Sequence, residues 1–181
     1  MRPISMQTPY YKMTHLPSEI GKPIISELWS LKPSQNQKIK MLGKMVTLPR
    51  HQQAYGNDYS FSGQVSKALA IPGQFSGFIN WAKENIDERL NGILANWYSA
   101  DKKHYIGKHR DDARPLVKEA PIVIISLGET RMIRLSEYGN PKNKVEVELV
   151  NGSVFIMPFE TNQKYTHEVP HFSRYSEKEF H

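Results

Sequence analysis

The sequence contains no cysteine among its 181 residues, which excludes disulfide bonds and thiolate metal ligands. No apolar run approaches the length of a membrane-spanning helix, and the first twenty residues lack an apolar segment of the signal-peptide type. Internal repeats and low-complexity linkers are also absent. We therefore expect one soluble domain over residues 1–181, without a secretion signal, a membrane contact or an obligate protein partner, in the cytoplasm or nucleus.

Acidic side chains are fewer than basic ones, 18 against 24, and the net charge at pH 7 is +6. A basic protein attracts polyanions, because each neutralised phosphate releases condensed counterions. The basic residues form two clusters, namely Lys32, Lys38, Lys40 and Lys44, and Lys102, Lys103, Lys108 and Arg110. Such clusters are also typical of ordinary solvated faces, so the charge alone leaves both a nucleic-acid surface and a plain surface open.

The first half of the chain has a mixed pattern. Residues 1–38 are rich in proline, serine and other polar residues, which indicates an N-terminal arm with one short element around Ile24 to Leu31. The stretch IKMLGKMVTL, residues 39–48, predicts a strand pair broken at Gly43. The run GQFSGFINWAKENIDERL predicts an amphipathic helix, because its apolar residues recur at helical spacing: Phe75, Phe78, Ile79, Ala82, Ile86 and Leu90.

From Ile93 onward the pattern changes to short β-rich runs separated by turns. The runs are ILANWY, HYIGKH, IVIISL, RMIRL, VEVELV, SVFIMPF and KYTHEV. Gly128, Gly139-Asn140-Pro141 and Asn151-Gly152 separate some of them, and Asn-Gly is a strong hairpin signal. Successive strands without intervening helices predict a sandwich, jelly roll or barrel.

The stretch HYIGKHRDDARPL, residues 104–116, contains the pattern H-x-D. Residues two apart on a strand face the same way, so His109 and Asp111 can converge on one ion while Arg110 faces away. A 2-His-1-carboxylate site needs a second imidazole, and the downstream candidates are His167, His171 and His181. Spacing favours His167, which ends the run KYTHEV, but an H-x-D pair is also typical of a polar strand end.

Further motifs follow in a specific order. The segment NWYSADKKHYIGKHRDDARPLVKEAPIVIISLGETRMIRL contains N-x-Y, H-x-D, S-x-G and then an arginine, while NGSVFIMPFETNQKYTHEVP contains a G-S strand, T-N and a histidine. Upstream lies LPRHQQAYGNDYSFSG, residues 48–63. Together these motifs resemble the AlkB family of iron(II)- and 2-oxoglutarate-dependent dioxygenases, and most of all the subgroup that acts on double-stranded DNA. The resemblance extends from about residue 39 to residue 170.

The resemblance implies an α+β fold with a double-stranded β-helix core, a cupin-like jelly roll, over residues 92–181. A nucleotide-recognition lid and a helix would occupy residues 39–91, after the arm of residues 1–38. The implied catalytic metal ligands are His109, Asp111 and His167, which would hold Fe(II). The implied 2-oxoglutarate ligands are Asn96, Tyr98 and Arg174. With O2 as cosubstrate, such enzymes repair N-alkylated DNA bases (1-methyladenine and 3-methylcytosine) by demethylation, and release formaldehyde, succinate and CO2.

The same resemblance implies a set of nucleic-acid contacts. Tyr59 and Phe61 share a strand face and would stack on a base that has been flipped out of the duplex. The sequence Met41-Leu42-Gly43 stands where the duplex-acting subgroup inserts an apolar finger between base steps. The remaining predicted contacts are Arg50, Ser62, Arg110 and Asp112. Each of these features has a plainer structural interpretation as well: Met-Leu-Gly as a buried turn, Phe61 as core, and Asp112 as a turn cap.

The C-terminus departs from the family pattern. The family closes its barrel with R-x-N-x-T-x-R, whose first arginine binds the far carboxylate of 2-oxoglutarate. This chain ends HFSRYSEKEFH, where Arg174 follows His167 after only seven residues and has no second arginine after it. We therefore expect the last strand to lie beyond residue 181, and otherwise Arg174 to serve with an unusual tail.

Three alternatives to a DNA demethylase remain open. An RNA demethylase of the same family would grip a flipped base in the same way, although the finger favours a DNA duplex. A jelly roll that has lost the arginine grip would bind nucleic acid without catalysis. A metal hydrolase with an H-x-D site explains neither N-x-Y nor the lid, and is the weakest of the three.

Overall fold

Three four-stranded sheets and two hairpins make up most of the computed structural model, which describes residues 6–20, 25–41, 43–61, 64–112, 116–171 and 178–180. Each strand pairing between named strands is antiparallel. The strands are β1 (Met6–Gln7), β2 (Lys12–His15), β3 (Lys38–Met41), β4 (Lys44–Thr47), β5 (His51–Tyr55), β6 (Tyr59–Phe61), β7 (Gln64–Ser66), β8 (Ile93–Ser99), β9 (Ile106–His109), β10 (Ile122–Ile125), β11 (Leu127–Gly128), β12 (Arg131–Glu137), β13 (Asn140–Leu149), β14 (Ser153–Met157), β15 (Tyr165–Val169) and β16 (Lys178–Phe180). The helices are α1 (Ile25–Ser30), α2 (Gly73–Asn85) and α3 (Phe159–Lys164).

The β-rich half folds as predicted, into layered antiparallel sheets. The strand orders are β1-β2-β14-β10, β11-β16-β8-β5 and β13-β12-β15-β9. Three apolar clusters fill the interior, one around Trp97 and Phe75, one around Leu135 and Phe155, and a small one of Tyr98, Ile106 and Val169. Burial of this apolar surface is the main force that holds the sheets together. The Trp97 indole also donates a hydrogen bond of 2.8 Å to the Leu28 carbonyl, which ties α1 to β8.

The predicted amphipathic helix is confirmed as α2. Its side chains Phe75, Phe78 and Ala82 are buried against the first apolar cluster, at the spacing that gives one apolar stripe on a 3.6-residue helix. The helix begins after Pro72, a residue with a fixed φ that suits a helix start. The apolar face of this helix packs in the same cluster as Tyr55 of β5 and Trp97 of β8.

The strand pair predicted over residues 39–48 is also confirmed. Strands β3 and β4 form a hairpin whose turn has Gly43 at a φ of +81°, a conformation that favours glycine because a Cβ would clash there. Lys38, Lys40, Lys44, Met45 and Val46 are exposed on this hairpin. A second small hairpin, β6–β7, follows β5.

Two expectations for strands and turns need correction. Part of the segment predicted as an arm is integrated into the core, because β2 pairs with β14 from Ser153↔His15 to Ile156↔Lys12. The Asn151-Gly152 turn does not join paired strands: β13 pairs with β12, whereas β14 pairs with β10 and β2. Turn chemistry predicts where the chain reverses, but the choice of partner strand depends on packing between distant segments.

The expectation that the family's last strand lies beyond residue 181 stays a prediction. Within the described residues, β16 pairs with β8 on one side, with Phe180↔Trp97, and with β11 on the other, with Leu127↔Phe180. A short strand near the end of the given sequence, where the family's sequence pattern is absent, therefore takes part in this sheet. Strand pairing uses backbone hydrogen bonds, which require strand geometry rather than particular side chains, so a segment with a different sequence can still form this strand.

Among the described residues, no helix is both long and apolar enough to cross a membrane.

Candidate metal centre

His109, Asp111 and His167 meet at one end of the barrel. His109 ends β9 and lies directly opposite His167 of the antiparallel neighbour β15, and their ring centroids are 4.1 Å apart. Asp111 follows two residues after β9, with Oδ1 3.8 Å from His109 Nε2 and Oδ2 3.6 Å from His167 Nε2. One ligand atom from each residue lies within 4.8 Å of the others. The sheet register thus brings together a local pair and a residue 56 positions beyond Asp111.

The protonation of the two imidazoles suits metal binding. His109 Nδ1 lies 2.8 Å from the Gly107 carbonyl, so that nitrogen donates and Nε2 keeps its lone pair toward Asp111. Burial lowers the pKa of His109, and the charge of Asp111 offsets part of this effect. Burial, and next the neighbouring His109, lower the pKa of His167 to about 4. Both rings are therefore neutral at pH 7, the form that coordinates a metal.

Asp111 is held from two sides. The Asn162 carboxamide accepts a hydrogen bond of 2.9 Å from the Asp111 backbone N–H and donates one of 3.0 Å to the Asp111 carbonyl. The Tyr59 hydroxyl, from β6, donates a hydrogen bond of 2.7 Å to Asp111 Oδ1. Burial, followed by the Asp111 charge, raises the pKa of Tyr59, so the phenol remains a donor. The lid strand is thereby connected directly to a candidate metal ligand.

The donor set fits the ion that the resemblance implies. Two imidazole nitrogens and one carboxylate are the ligands of the facial triad that binds non-haem Fe(II) and leaves further positions open. The outer contacts fit as well, because a backbone carbonyl accepts a hydrogen bond from His109 Nδ1 and the Tyr59 hydroxyl donates one to the Asp111 carboxylate. These three residues would hold the metal, and their role as ligands stays a prediction.

A cavity of about 320 Å³ adjoins the three ligands and extends toward α2. Asn96, Tyr98 and Tyr59 line it near the ligands, whereas its far wall is apolar and includes Phe78 and Ile124. Asn96 and Tyr98 lie two apart on β8, so they face the same way, as the sequence predicted. A small organic anion with a polar end and a methylene body would match this lining.

Arg50 lies in the interior rather than on the surface. Its side chain is only 2% exposed, with Nε donating 2.8 Å to Asn96 Oδ1 and Nη2 donating 2.6 Å to Gln52 Oε1. Burial lowers the pKa of the guanidinium, and electrostatic interactions with Tyr98, Tyr59 and Asp111 offset part of this effect. The sequence predicted a DNA contact at this position, whereas the structure connects the side chain to a predicted 2-oxoglutarate ligand.

The other predicted contacts occupy different places. Arg110 donates to the Gln163 carbonyl at 3.0 Å and lies over the Tyr138 ring at 4.2 Å. Asp112 is half-buried beside them, and its charge contributes to the raised pKa of Tyr59. Met41 and Gly43 belong to the β3–β4 hairpin and Phe61 ends β6. Leu42, Ser62 and Arg174 lie outside the described residues.

A second buried histidine pair was not expected from the sequence. His51 begins β5 and His104 precedes β9, and their ring centroids are 5.7 Å apart. His104 Nδ1 accepts a hydrogen bond of 3.1 Å from the Ser99 N–H, and burial, followed by His51, lowers its pKa to about 4. Among the described residues, His51 Nδ1 has no hydrogen-bond partner. Asn162, which holds Asp111, was present in the T-N motif but received no role of its own.

The comparisons with known proteins agree with this geometry. The model of the 2OG-Fe(II) oxygenase superfamily matches residues 19–180. The chain is 31% identical to the DNA oxidative demethylase ALKBH2 of Mus musculus over 147 residues, which are 74% of this chain and 59% of that protein. It is 30% identical to the ALKBH2 of Homo sapiens over 148 residues, 74% of this chain and 54% of that protein. The chain thus spans between half and three-fifths of the curated relatives it matches.

A solved structure supports the fold. The structure of OsALKBH1 superimposes with a TM-score of 0.65 and covers 98% of this chain and 97% of that chain, at 15% sequence identity. Identity at this level informs on the fold alone, and it confirms the predicted jelly-roll core. The family model, the relatives and the fold agree with one another. The chain belongs to the 2OG-Fe(II) oxygenase superfamily and, within it, to the AlkB family.

Proposed function

We propose that this protein is an oxidative demethylase of N-alkylated bases in DNA that uses Fe(II), 2-oxoglutarate and O2. The observation that carries the proposal is the convergence of His109, Asp111 and His167 on one point beside a cavity lined by Asn96 and Tyr98. A metal-dependent hydrolase uses no organic cosubstrate, so it would not need a partly apolar cosubstrate cavity next to the ion. The relatives named as DNA oxidative demethylases support the choice of substrate.

The chemistry supplied by bound iron and 2-oxoglutarate is a four-electron reduction of O2, in which 2-oxoglutarate becomes succinate and CO2 while an N-methyl group becomes N-hydroxymethyl. The hydroxymethyl group then leaves the base as formaldehyde, and the ring nitrogen keeps its electron pair. The protein's own residues hold the participants in place. His109 and His167 offer neutral nitrogens, Tyr59 donates a hydrogen bond to the Asp111 carboxylate, and Asn162 holds the Asp111 backbone.

The cosubstrate would be bound by Asn96 and Tyr98 on β8, with Arg174 as the grip on its far carboxylate. Asn96 and Tyr98 both line the cavity, and the Tyr98 ring is only 2% exposed. A buried carboxylate requires several donors, because an unpaired charge in the interior is costly. We assign the cavity beside the metal ligands to 2-oxoglutarate on these grounds.

The lid would receive the flipped base. Tyr59 and Phe61 would stack on it opposite His109, and the Met41-Leu42-Gly43 sequence would fill the gap in the duplex. The exposed lysines Lys38, Lys40 and Lys44 on the β3–β4 hairpin support a polyanionic partner. Ser62, Arg110 and Asp112 complete the proposed contacts, with 1-methyladenine and 3-methylcytosine as lesions. A DNA substrate also places the protein inside the cell.

The test measures demethylation of synthetic oligonucleotides that contain one 1-methyladenine. Duplex DNA, single-stranded DNA and RNA of the same sequence are incubated with the protein, Fe(II), 2-oxoglutarate and O2, and the repaired base and formaldehyde are quantified. We expect equal amounts of both products, with duplex DNA as the best substrate. Faster repair of RNA would move the assignment to an RNA demethylase, and binding without turnover would identify a non-catalytic nucleic-acid-binding protein.

Two variants separate the metal centre from a general loss of structure. His167→Gln removes one candidate ligand, and we expect product formation to fall to the level without iron. His15→Gln changes a half-buried histidine of β2 that lies outside the site, and we expect wild-type turnover. Unchanged activity in His167→Gln would contradict the proposal. A prior anaerobic titration of 2-oxoglutarate into the iron-loaded chain, followed by the visible charge-transfer band, reports cosubstrate binding independently of turnover.

A further inference from the structure

Arg50 is a buried cation whose hydrogen bonds go to neutral groups. Within the described residues, its two side-chain acceptors are the carboxamide oxygens of Asn96 and Gln52, at 2.8 Å and 2.6 Å. The side chain is 2% exposed, so water does not compensate for its charge. A buried guanidinium normally has a carboxylate partner. The Asp111 carboxylate interacts with it electrostatically but makes no hydrogen bond to it among the described contacts.

The Arg50 contact determines which way the Asn96 carboxamide faces. A guanidinium has five N–H donors and no acceptor, so the atom it binds must be the Asn96 oxygen and not the nitrogen. The Asn96 NH2 group is consequently directed away from Arg50. Asn96 lines the cavity beside the metal ligands, so it presents a donor rather than an acceptor to whatever lies there. A carboxylate oxygen is the natural partner of that donor.

We infer that Arg50 is a positioning residue for cosubstrate binding, which fixes Asn96 as a donor and adds positive charge behind it for a dicarboxylate. This inference rests on the proposed role of the cavity as the 2-oxoglutarate site. It also gives the buried cation a function. The neutral hydrogen-bond partners of Arg50 do not compensate for its positive charge, whereas a dianion bound in the cavity would. It also replaces the expected contact between Arg50 and DNA, which a side chain 2% exposed does not make.

The test measures binding of 2-oxoglutarate to the full chain loaded with Mn(II), a redox-inactive stand-in, by calorimetry. Saturable binding by the wild type reports on the proposed function, and the variants report on the present inference. Arg50→Met removes all donors while keeping the length of the side chain, and we expect affinity for 2-oxoglutarate to fall roughly 10- to 100-fold. Arg50→Lys retains one donor and the charge, and should recover most of the loss.

A second variant guards against misfolding of Arg50→Met. Asn96→Asp keeps an oxygen for Arg50 to bind, and so preserves the internal contact, but it removes the NH2 group and presents a negative charge to the cavity. We expect its affinity for 2-oxoglutarate to fall at least as far as that of Arg50→Met. Thermal unfolding of each variant verifies the fold. Wild-type affinity in a folded Asn96→Asp would overturn the inference.

Coupling and kinetics distinguish positioning from a merely structural role. In the Asn96→Ala background, Arg50→Met should have little further effect on 2-oxoglutarate affinity, because the group it positions is gone. The KM for 2-oxoglutarate should rise in Arg50→Met while the KM for methylated DNA stays unchanged. Additive effects of the two substitutions, or lost DNA affinity with unchanged 2-oxoglutarate affinity, would overturn the inference. Lys83→Gln on α2, an exposed position, is the control for loss of one positive charge.

Discussion

The protein contains two buried histidine pairs that differ in what accompanies them. The rings of His109 and His167 are 4.1 Å apart, with the Asp111 carboxylate beside both Nε2 atoms and an open cavity next to them. The rings of His51 and His104 are 5.7 Å apart, and a backbone N–H occupies His104 Nδ1. Both pairs are neutral because burial lowers their pKa values.

The difference shows that imidazoles alone do not make a metal site. A site also needs an anionic ligand, lone pairs aimed at one point and space for further ligands. After burial, the charges of Lys32 and Lys102 lower the pKa of His51, while His51 and then Lys102 lower the pKa of His104, against a smaller opposing effect of Asp101. The His109–His167 pair is therefore suited to binding a metal ion, whereas the His51–His104 pair links the start of β5 to the segment before β9.

The largest effect should follow from removing the Asp111 carboxylate, which is present at the His109–His167 pair and has no counterpart within ion-pair distance of the His51–His104 pair among the described residues. In Asp111→Asn the backbone hydrogen bonds to Asn162 can remain, but the anionic ligand is lost. We expect affinity for Mn(II) to fall more than about a hundredfold, since even outer contacts of metal ligands contribute 10- to 100-fold. Calorimetry measures the affinity, with His104→Gln as the control that should bind Mn(II) like the wild type. Retained binding in Asp111→Asn would show that the ion lies elsewhere.

The next effect concerns stability. A metal that binds only the folded protein should raise the free energy of unfolding by about 2.7 kcal/mol at a free concentration of one hundred times Kd. Denaturant unfolding with and without Mn(II) measures this gain. Substitution of His51 by glutamine should leave the gain intact, whereas Asp111→Asn should abolish it. An equal gain in both variants would contradict the distinction between the two pairs.

The second pair should produce a pH dependence. The pKa of His104 is about 4 in the folded protein and near 6.5 when unfolded, so the unfolded state binds more protons between these values. The stability contributed by neutral His104 is thus present above pH 6.5 and is lost as the pH falls toward 4, by roughly 2 kcal/mol. The metal-free wild type should lose this amount relative to His104→Gln, measured by urea unfolding across that range. Parallel curves for the two proteins would count against the buried neutral state.

The smallest expected effect concerns the lid contact to the metal centre. Tyr59→Phe removes the hydroxyl that donates to Asp111 Oδ1 but keeps the ring for stacking. We expect Mn(II) affinity to fall about tenfold, the range typical of an outer hydrogen bond to a ligand. Affinity for DNA without metal should remain unchanged, which a fluorescence anisotropy titration can establish. A loss of DNA affinity with intact metal binding would assign Tyr59 to the base alone.

The sequence predicted the elements whose evidence is local. The helical spacing of Phe75, Phe78 and Ala82 gave α2, and Gly43 marked the turn of the β3–β4 hairpin. His109 and Asp111 were recognisable because they are two residues apart in one segment. The choice of His167 over His171 and His181 needed more, namely the regular strand that precedes it and the resemblance to a known family.

The features that the sequence did not reveal are long-range. Strand β2 pairs with β14 more than a hundred residues later, and Arg50 meets Asn96 across a separation of 46 residues. Neither contact has a local pattern, because strand partners and buried polar contacts are selected by the packing of the whole chain. The resemblance predicted a DNA contact at Arg50, and the burial of this side chain against Asn96 could not be inferred from its sequence neighbours.

The pairing of His167 with His109 also determines when the protein can first hold a metal. A ribosome makes β9 well before β15, and the two strands can pair only after the second has left the exit tunnel. A nascent chain that ends before residue 167 carries His109 and Asp111 but lacks the third ligand. On the proposed ligand set, a site with all three side chains consequently forms only after residue 167 has been synthesised and β15 has paired with β9.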